Sequence, residues 1–132
     1  MVYLTLNNQT FKNIHMTIDF KENVEIELEN KFSFSVNYND DNSACLAILQ
    51  HDLNHKNDPE KFHISVEGIA QFSCEGVNSD DAKKEAHMMA YSILFPYVQR
   101  MIRNLSTDAG LPPLIIPMAK MKAENVQLTP KK

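Results

Sequence analysis

Apolar and polar residues alternate over residues 24–38. The even positions are apolar and the odd positions are charged or polar: Val24, Ile26, Leu28, Phe32, Phe34, Val36 and Tyr38 against Glu25, Glu27, Glu29, Lys31, Ser33, Ser35 and Asn37. Asn30 is the single polar residue on the even side, and it predicts a bulge, a bend or the end of a strand. A period of two predicts a strand with one buried and one exposed face, as in antiparallel sheets.

Three further segments show strand patterns. Residues 14–20 alternate, and residues 44–49 are apolar on both faces, which predicts a central strand. Even positions are apolar across residues 62–74, with Gly68 inside, which predicts a bulge or a close approach of another group to the backbone. Residues 1–77 therefore predict four antiparallel strands joined by short turns, as a meander or a series of hairpins.

A period of 3.6 residues follows over residues 79–108 and predicts a helix. Asn78 or Ser79 can cap its start. Pro96 removes one backbone hydrogen bond and predicts a kink or a division into two helices. Gly110 is a suitable stop. Residues 109–132 are predicted to form an extended segment and a tail, in which residues 118–126 could form a short helix.

Length and charge restrict the class of protein. A chain of 132 residues predicts a single domain over residues 1–132. The net charge of −4 argues against nucleic acid as a partner, because a phosphate-binding surface needs clustered Lys and Arg. The amino terminus lacks the features of a signal peptide, and the apolar runs are too short to span a bilayer. We expect a cytoplasmic protein without membrane insertion.

Candidate chemistry is sparse. Cys45 and Cys74 lie in strand-like segments, where buried apolar packing is expected and a disulfide or a nucleophile is the lesser alternative. His51 and His55 resemble a metal-binding pair, but we place them at a strand end running into a polar loop over residues 54–59, where they would not converge. We predict no catalytic residue, no metal site and no cofactor, and therefore no enzyme.

One group of motifs resembles the protein-export chaperone family SecB. The motifs are Ser92-Ile93-Leu94-Phe95-Pro96-Tyr97, then Ile102, then Gly110-Leu111-Pro112-Pro113-Leu114. Upstream, Phe62, Val66 and Phe72-Ser73 ahead of Gly76 resemble the last strand of the family, and Lys12-Asn13-Ile14 resembles the first.

The resemblance implies an α+β fold in which a four-stranded antiparallel sheet precedes a Pro-kinked helix, with subunits paired into a dimer or tetramer. It also implies an ATP-independent holdase that binds unfolded or partly folded polypeptides in apolar grooves. Four phenylalanines are the predicted client contacts: Phe11, Phe20, Phe32 and Phe34. Five helix residues are predicted to form an oligomer interface or to pack on the sheet: Leu94, Tyr97, Val98, Met101 and Leu105.

Departures from the family pattern bear on its partners. The resemblance implies acidic contacts to the export motor SecA at positions that here hold Asn13, Thr17 and Ser65, and a leucine where this chain has His63. These differences count against docking on SecA. The clients would be exported preproteins or one dedicated partner, such as an antitoxin of a toxin–antitoxin system. The alternative is a non-enzymatic adaptor or scaffold that kept the fold and lost general client binding.

Overall fold

The computed structural model describes residues 1–19, 28–56 and 60–110. Its elements are four strands and a helix, in the order β1 (Tyr3–Ile18), β2 (Leu28–Tyr38), β3 (Ala44–His55), β4 (Phe62–Glu75) and α1 (Asp80–Asp108). The strands form one antiparallel sheet with the order β1-β4-β3-β2. The predicted α+β class and the predicted central position of the strand that begins at Ala44 are confirmed.

Strand β1 differs from the prediction in length and in position. It begins at Tyr3 and pairs with β4, so only β2, β3 and β4 form a meander. Its register shifts twice, between Leu6 and Asn8 and between Lys12 and His15. Each irregularity moves the apolar positions between odd and even numbers, which hides a long strand from a test for strict alternation.

Two predicted interruptions of the sheet are wrong. Asn30 lies inside β2, opposite Leu53, in a register that runs without a break from Leu28 to Tyr38. Strand β3 continues to His55, through residues for which a loop was predicted. Polar side chains at these positions are tolerated because partners satisfy them, as described below for Asn30.

Helix α1 begins where its capping signal predicts. The Ser79 hydroxyl accepts a hydrogen bond from the backbone N–H of Ala82 at 3.1 Å, which satisfies one of the free donors of the first turn. The helix continues through Pro96 as one element of 29 residues. Gly110 has a φ of +84°, a left-handed conformation that ends helices and favours glycine. The predicted tail from residue 111 onward lies outside the described residues.

The core lies between α1 and one face of the sheet. That face carries the even residues of β4 and the odd residues of β3, which are buried beneath helix residues such as Leu94 and Val98. Burying one such aliphatic side chain contributes about 1.5–3 kcal/mol. Gly68 permits the close contact: a methyl group added there would lie 2.5 Å from Val98 Cγ2. The predicted close approach at this glycine is confirmed.

Candidate functional site

Strand β2 is an edge strand that directs aromatic side chains toward the helix. Phe32 pairs with His51 and Phe34 with Leu49 in the register of β2 with β3, so both phenylalanines lie on the helix side of the sheet. Phe32 is 42% exposed and Phe34 is half-buried. An exposed phenylalanine beside a buried core offers apolar contact surface to a partner.

These two rings belong to a set that we term the aromatic cluster: Phe32, Phe34, His51, His87, Tyr91 and Phe95. The ring centroids of Phe32 and Tyr91 lie 5.9 Å apart, and those of Tyr91 and Phe95 lie 5.7 Å apart. Such distances fall within the range at which aromatic pairs attract each other. The cluster therefore joins the edge strand to the helix through ring contacts.

His51 is the polar member at the base of the cluster, and it is only 2% exposed. Its Nε2–H donates a hydrogen bond to Oδ1 of Asn30 on β2, whereas Nδ1 has no hydrogen-bond partner among the described residues. Burial lowers the pKa of His51, and the nearby Asp52 opposes that shift. Burial therefore favours the neutral form of this ring.

His87 is the second histidine of the cluster and lies on the first half of α1. Its ring meets that of Phe34 edge to face, with centroids 4.9 Å apart. Burial lowers the pKa of His87 as well. Two imidazoles whose charged forms are disfavoured thus flank the phenylalanines of β2.

Three of the four phenylalanines predicted as client contacts lie in the described residues, and these three do not share one surface. Phe32 and Phe34 lie together in the aromatic cluster. Phe11 is half-buried on β1, the other edge strand of the sheet, where it lies opposite Gly68 of β4. Phe20 lies outside the described residues. Of the predicted client contacts that the structure describes, Phe32 and Phe34 are the two that lie together, and both contact Tyr91.

The five helix residues predicted for packing or for an oligomer interface differ in burial. Leu94 and Val98 are completely buried against the sheet. Tyr97, Met101 and Leu105 are half-buried. Arg100 lies over the ring of Tyr97, with its guanidinium carbon 5.5 Å from the ring centroid. Tyr97, Met101 and Leu105 therefore keep part of their apolar surface accessible.

The positions at which the family resemblance implies contacts to SecA lie on the sheet face away from α1. Thr17 pairs with His63 on the neighbouring strand, and Ser65 is two residues further along. Asn13 Nδ2 donates a hydrogen bond to Glu67 at 2.6 Å, and Ser65 Oγ accepts one from a glutamine of β3, also at 2.6 Å. Neutral amide and hydroxyl groups occupy these positions.

Sequence reasoning missed two features of this region. His51 was assigned to a strand end at a polar loop, but it lies within β3 and in the core. A signal was present, since His51 continues the odd-numbered series Cys45, Ala47, Leu49 and Leu53. The contact of Phe32 and Phe34 with Tyr91 left no such signal, because it depends on where the helix crosses the sheet.

The described residues contain no group of three or more His, Cys, Asp or Glu side chains placed to hold a metal ion. Within the same residues, no helix has the length and apolar character needed to cross a membrane. The side chains of the aromatic cluster offer apolar and aromatic contact to a partner.

Comparison with solved structures finds proteins of similar fold, among them these two. One is the SecB-like chaperone Rv1957 of Mycobacterium tuberculosis, in complex with a ChAD peptide from the Rv1956 HigA1 antitoxin. It has a TM-score of 0.70 at 15% identity, over 88% of this chain and 90% of the mycobacterial chain. The other is a protein of unknown function from Streptococcus agalactiae, with a TM-score of 0.50 at 14% identity, over 89% of this chain and 98% of the streptococcal chain.

A comparison with curated protein sequences finds no match. The family described as preprotein translocase subunit SecB matches residues 4–123. That range includes β1 from its second residue onward, the other three strands, the aromatic cluster and the whole of α1. The match extends over most of the chain and agrees with the fold, so this chain belongs to the SecB family.

Proposed function

We propose that this protein is an ATP-independent holdase chaperone that binds non-native polypeptides through the aromatic cluster. The observation that carries the proposal is the gradient of burial across the cluster. Phe32 is 42% exposed at the sheet edge, whereas Tyr91 and His51 beneath it are 2% exposed. An exposed phenylalanine above buried aromatic rings offers apolar contact without directional requirements, which suits apolar segments of varied sequence.

We propose a dedicated polypeptide client, such as an antitoxin, ahead of exported preproteins. The mycobacterial SecB-like chaperone is in complex with an antitoxin peptide, which supports a polypeptide client for a protein of this fold. Asn13, Thr17 and Ser65 supply no carboxylate at the positions where the family resemblance implies contacts to the export motor. Docking on SecA is therefore not part of this proposal.

Suppression of aggregation tests the holdase directly. An unfolded reporter protein is diluted into the chaperone without nucleotide, and light scattering is followed. We expect protection at near-stoichiometric ratios and a loss of about tenfold in apparent affinity for Phe32→Ser, because an exposed aromatic anchor is removed. Tyr3→Ser is the matched control, since Tyr3 is 57% exposed on β1 and lies outside the cluster.

Two outcomes would contradict the proposal. Absence of protection by the unmodified chain at any ratio would exclude a holdase. Equal protection by Phe32→Ser and the unmodified chain would exclude the aromatic cluster as the binding surface. Circular dichroism of each variant establishes that the fold is intact.

We further propose that the chain acts in the cytoplasm as a dimer or tetramer. The half-buried residues Tyr97, Met101 and Leu105 of α1 supply apolar surface that a second subunit could bury. Multi-angle light scattering at micromolar concentration should give a mass of two or four chains. A monomer throughout that range would contradict this assignment.

The second candidate is a non-enzymatic adaptor or scaffold. It is favoured by the neutral residues Asn13, Thr17 and Ser65, which separate this chain from the expected motor contacts. Capture from a lysate followed by mass spectrometry distinguishes the two functions. A range of unfolded polypeptides supports the holdase, whereas one folded partner supports the adaptor.

A further inference from the structure

Two thiols from neighbouring strands meet in the core at the end of the sheet. Cys45 Sγ on β3 and Cys74 Sγ on β4 lie 3.4 Å apart, and each residue is 6% exposed. Cys45 pairs with Phe72 in the strand register, so Cys74 is its diagonal neighbour on the same face of the sheet. A further approach of roughly 1.4 Å would bring the sulfur atoms to the length of a disulfide bond.

Cys45 is the member of the pair that helps to line a surface cleft. The cleft has a volume of about 420 Å³ and is lined by Cys45 together with residues such as Tyr38, Leu46 and Gln71. A small disulfide of the size of two mercaptoethanol units can enter a space of this volume, which brings it next to the segment of β3 that holds Cys45. Cys74 is not among the lining residues.

We propose that Cys45 and Cys74 form a reversible dithiol–disulfide site that small organic disulfides oxidise in the folded protein. In the first step, the Cys45 thiolate attacks one sulfur of the oxidant, a Cys45–S–S–R bond forms, and one R–SH leaves with the proton. In the second step, the Cys74 thiolate attacks Cys45 Sγ, and the second R–SH leaves. Two protein thiols are oxidised by two electrons and one disulfide is reduced to two thiols.

Burial makes this pair unreactive until oxidant accumulates. Desolvation raises the pKa of both thiols, so the thiolates that attack are scarce at neutral pH. The rate of oxidation should therefore increase from pH 7 to pH 9, as the thiolate fraction grows. The distance of 3.4 Å between the sulfur atoms favours the second step. Cys74 is already in contact with Cys45 when Cys45 has formed the mixed disulfide.

The disulfide would join β3 to β4 in the part of the sheet that lies next to the start of α1. Tyr38, the register partner of Cys45, donates a hydrogen bond from its hydroxyl to the backbone carbonyl of Lys83 at 3.1 Å. The cysteines are 29 positions apart in the chain, so the bond restricts a loop of that length in the unfolded state. We expect the thermal midpoint of the oxidised form to rise by about 5–15 °C.

The experiment uses the full chain under native conditions with bis(2-hydroxyethyl) disulfide as the oxidant. Mass spectrometry should show the loss of two hydrogen atoms, and peptide mapping should show Cys45 joined to Cys74. Cys74→Ala should stop at the mixed disulfide on Cys45, whereas Cys45→Ala should react much more slowly because Cys74 does not border the cleft. Dithiothreitol should restore both thiols and the original thermal midpoint.

Three results would overturn the proposal: both thiols staying reduced in the folded chain, mixed disulfides forming on each cysteine without an internal bond, or a bond forming only between chains. Peptide mapping of the unmodified chain distinguishes these results from an internal Cys45–Cys74 bond, even if a variant fails to fold. Aggregation assays on the oxidised form keep this site separate from the proposed holdase function, because client protection is expected to persist after oxidation.

Discussion

Phe34 of the edge strand meets Tyr91 of α1 edge to face, with ring centroids 5.3 Å apart and ring planes at 69°. Tyr91 is 2% exposed and also contacts Phe32 and Phe95. One helix side chain thus links both phenylalanines of β2 to the core. Among the described residues β2 pairs with β3 only, so this aromatic contact is part of what fixes the edge strand to the helix.

Replacing Tyr91 should therefore destabilise the fold strongly. Truncating a buried aromatic residue leaves a cavity and removes ring contacts, so Tyr91→Ala should lower the free energy of unfolding by about 3–5 kcal/mol. Tyr97→Ala is the control, since Tyr97 is only half-buried and should cost less than half as much. Denaturant unfolding measures both. Equal losses would show that Tyr91 contributes no more than an ordinary surface aromatic residue.

The start of α1 allows a prediction at the level of a single hydrogen bond. The Ser79 hydroxyl accepts from the N–H of Ala82 at 3.1 Å, so Ser79→Ala leaves that donor to water. We expect a loss of about 1 kcal/mol in the free energy of unfolding. Asn78→Ala, one position earlier and exposed, should change it by less than half of that. Thermal or denaturant unfolding of the two variants would contradict the assignment of the cap if Asn78→Ala were the more harmful.

Local signals predicted much of this fold because the sheet is buried on one face. Alternation located β2 and β4, and apolar character on both faces identified β3 as central. The order of strands was not predictable in this way, because the pairing of β1 with β4 depends on contacts distant in the chain. Bulges in β1 added a local error, since they change which residue numbers face the core.

The aromatic cluster was predictable only in part. Phe32 and Phe34 were identified as a pair on one strand face, but their contact with Tyr91 depends on the position of the helix. The sequence predicts a strand end for His51 because histidine is polar. Its position in the odd-numbered apolar series of β3 was the better guide to its burial. Asn30, which interrupted the apolar series of β2, proved to be its hydrogen-bond partner. Asn30 on β2 and His51 on β3 are each a polar residue within an apolar series. Their occurrence on two paired strands was the signal for this part-buried polar contact.

The close approach at Gly68 gives a test of packing between helix and sheet. A Cβ at this position would lie 2.5 Å from Val98 Cγ2, and the β-branched valine is completely buried and has little freedom to move away. Gly68→Ala should therefore lower the free energy of unfolding by about 1–3 kcal/mol. The cause would be crowding against Val98.

A second substitution at Val98 isolates that cause. Val98→Ala removes the methyl group that would clash, so Gly68→Ala should cost less in the Val98→Ala background than in the unmodified chain. A double-mutant cycle from denaturant unfolding measures the coupling free energy, which we expect to exceed about 0.5 kcal/mol. Strictly additive losses would place the cost of Gly68→Ala elsewhere than in this contact.

The two histidines of the aromatic cluster should make stability depend on pH in a definite direction. Burial lowers the pKa of His51 and of His87 in the folded chain below the usual value of 6.5, which applies to the unfolded chain. As the pH falls through about 6.5, the unfolded state binds protons before the folded state does. The free energy of unfolding should therefore be highest above that pH and should decrease on acidification, until the folded histidines also become protonated.

Denaturant unfolding between about pH 8 and pH 5 measures this dependence. His51→Gln and His87→Gln should each make stability fall less steeply with decreasing pH, because each removes a group that binds a proton preferentially in the unfolded state. His15→Gln is the reference variant, since His15 is exposed on β1 and lies outside the cluster. If all three variants kept the slope of the unmodified chain, other groups would be responsible. If only His51→Gln removed the dependence of stability on pH, that dependence would be assigned to His51, the histidine that bonds Asn30.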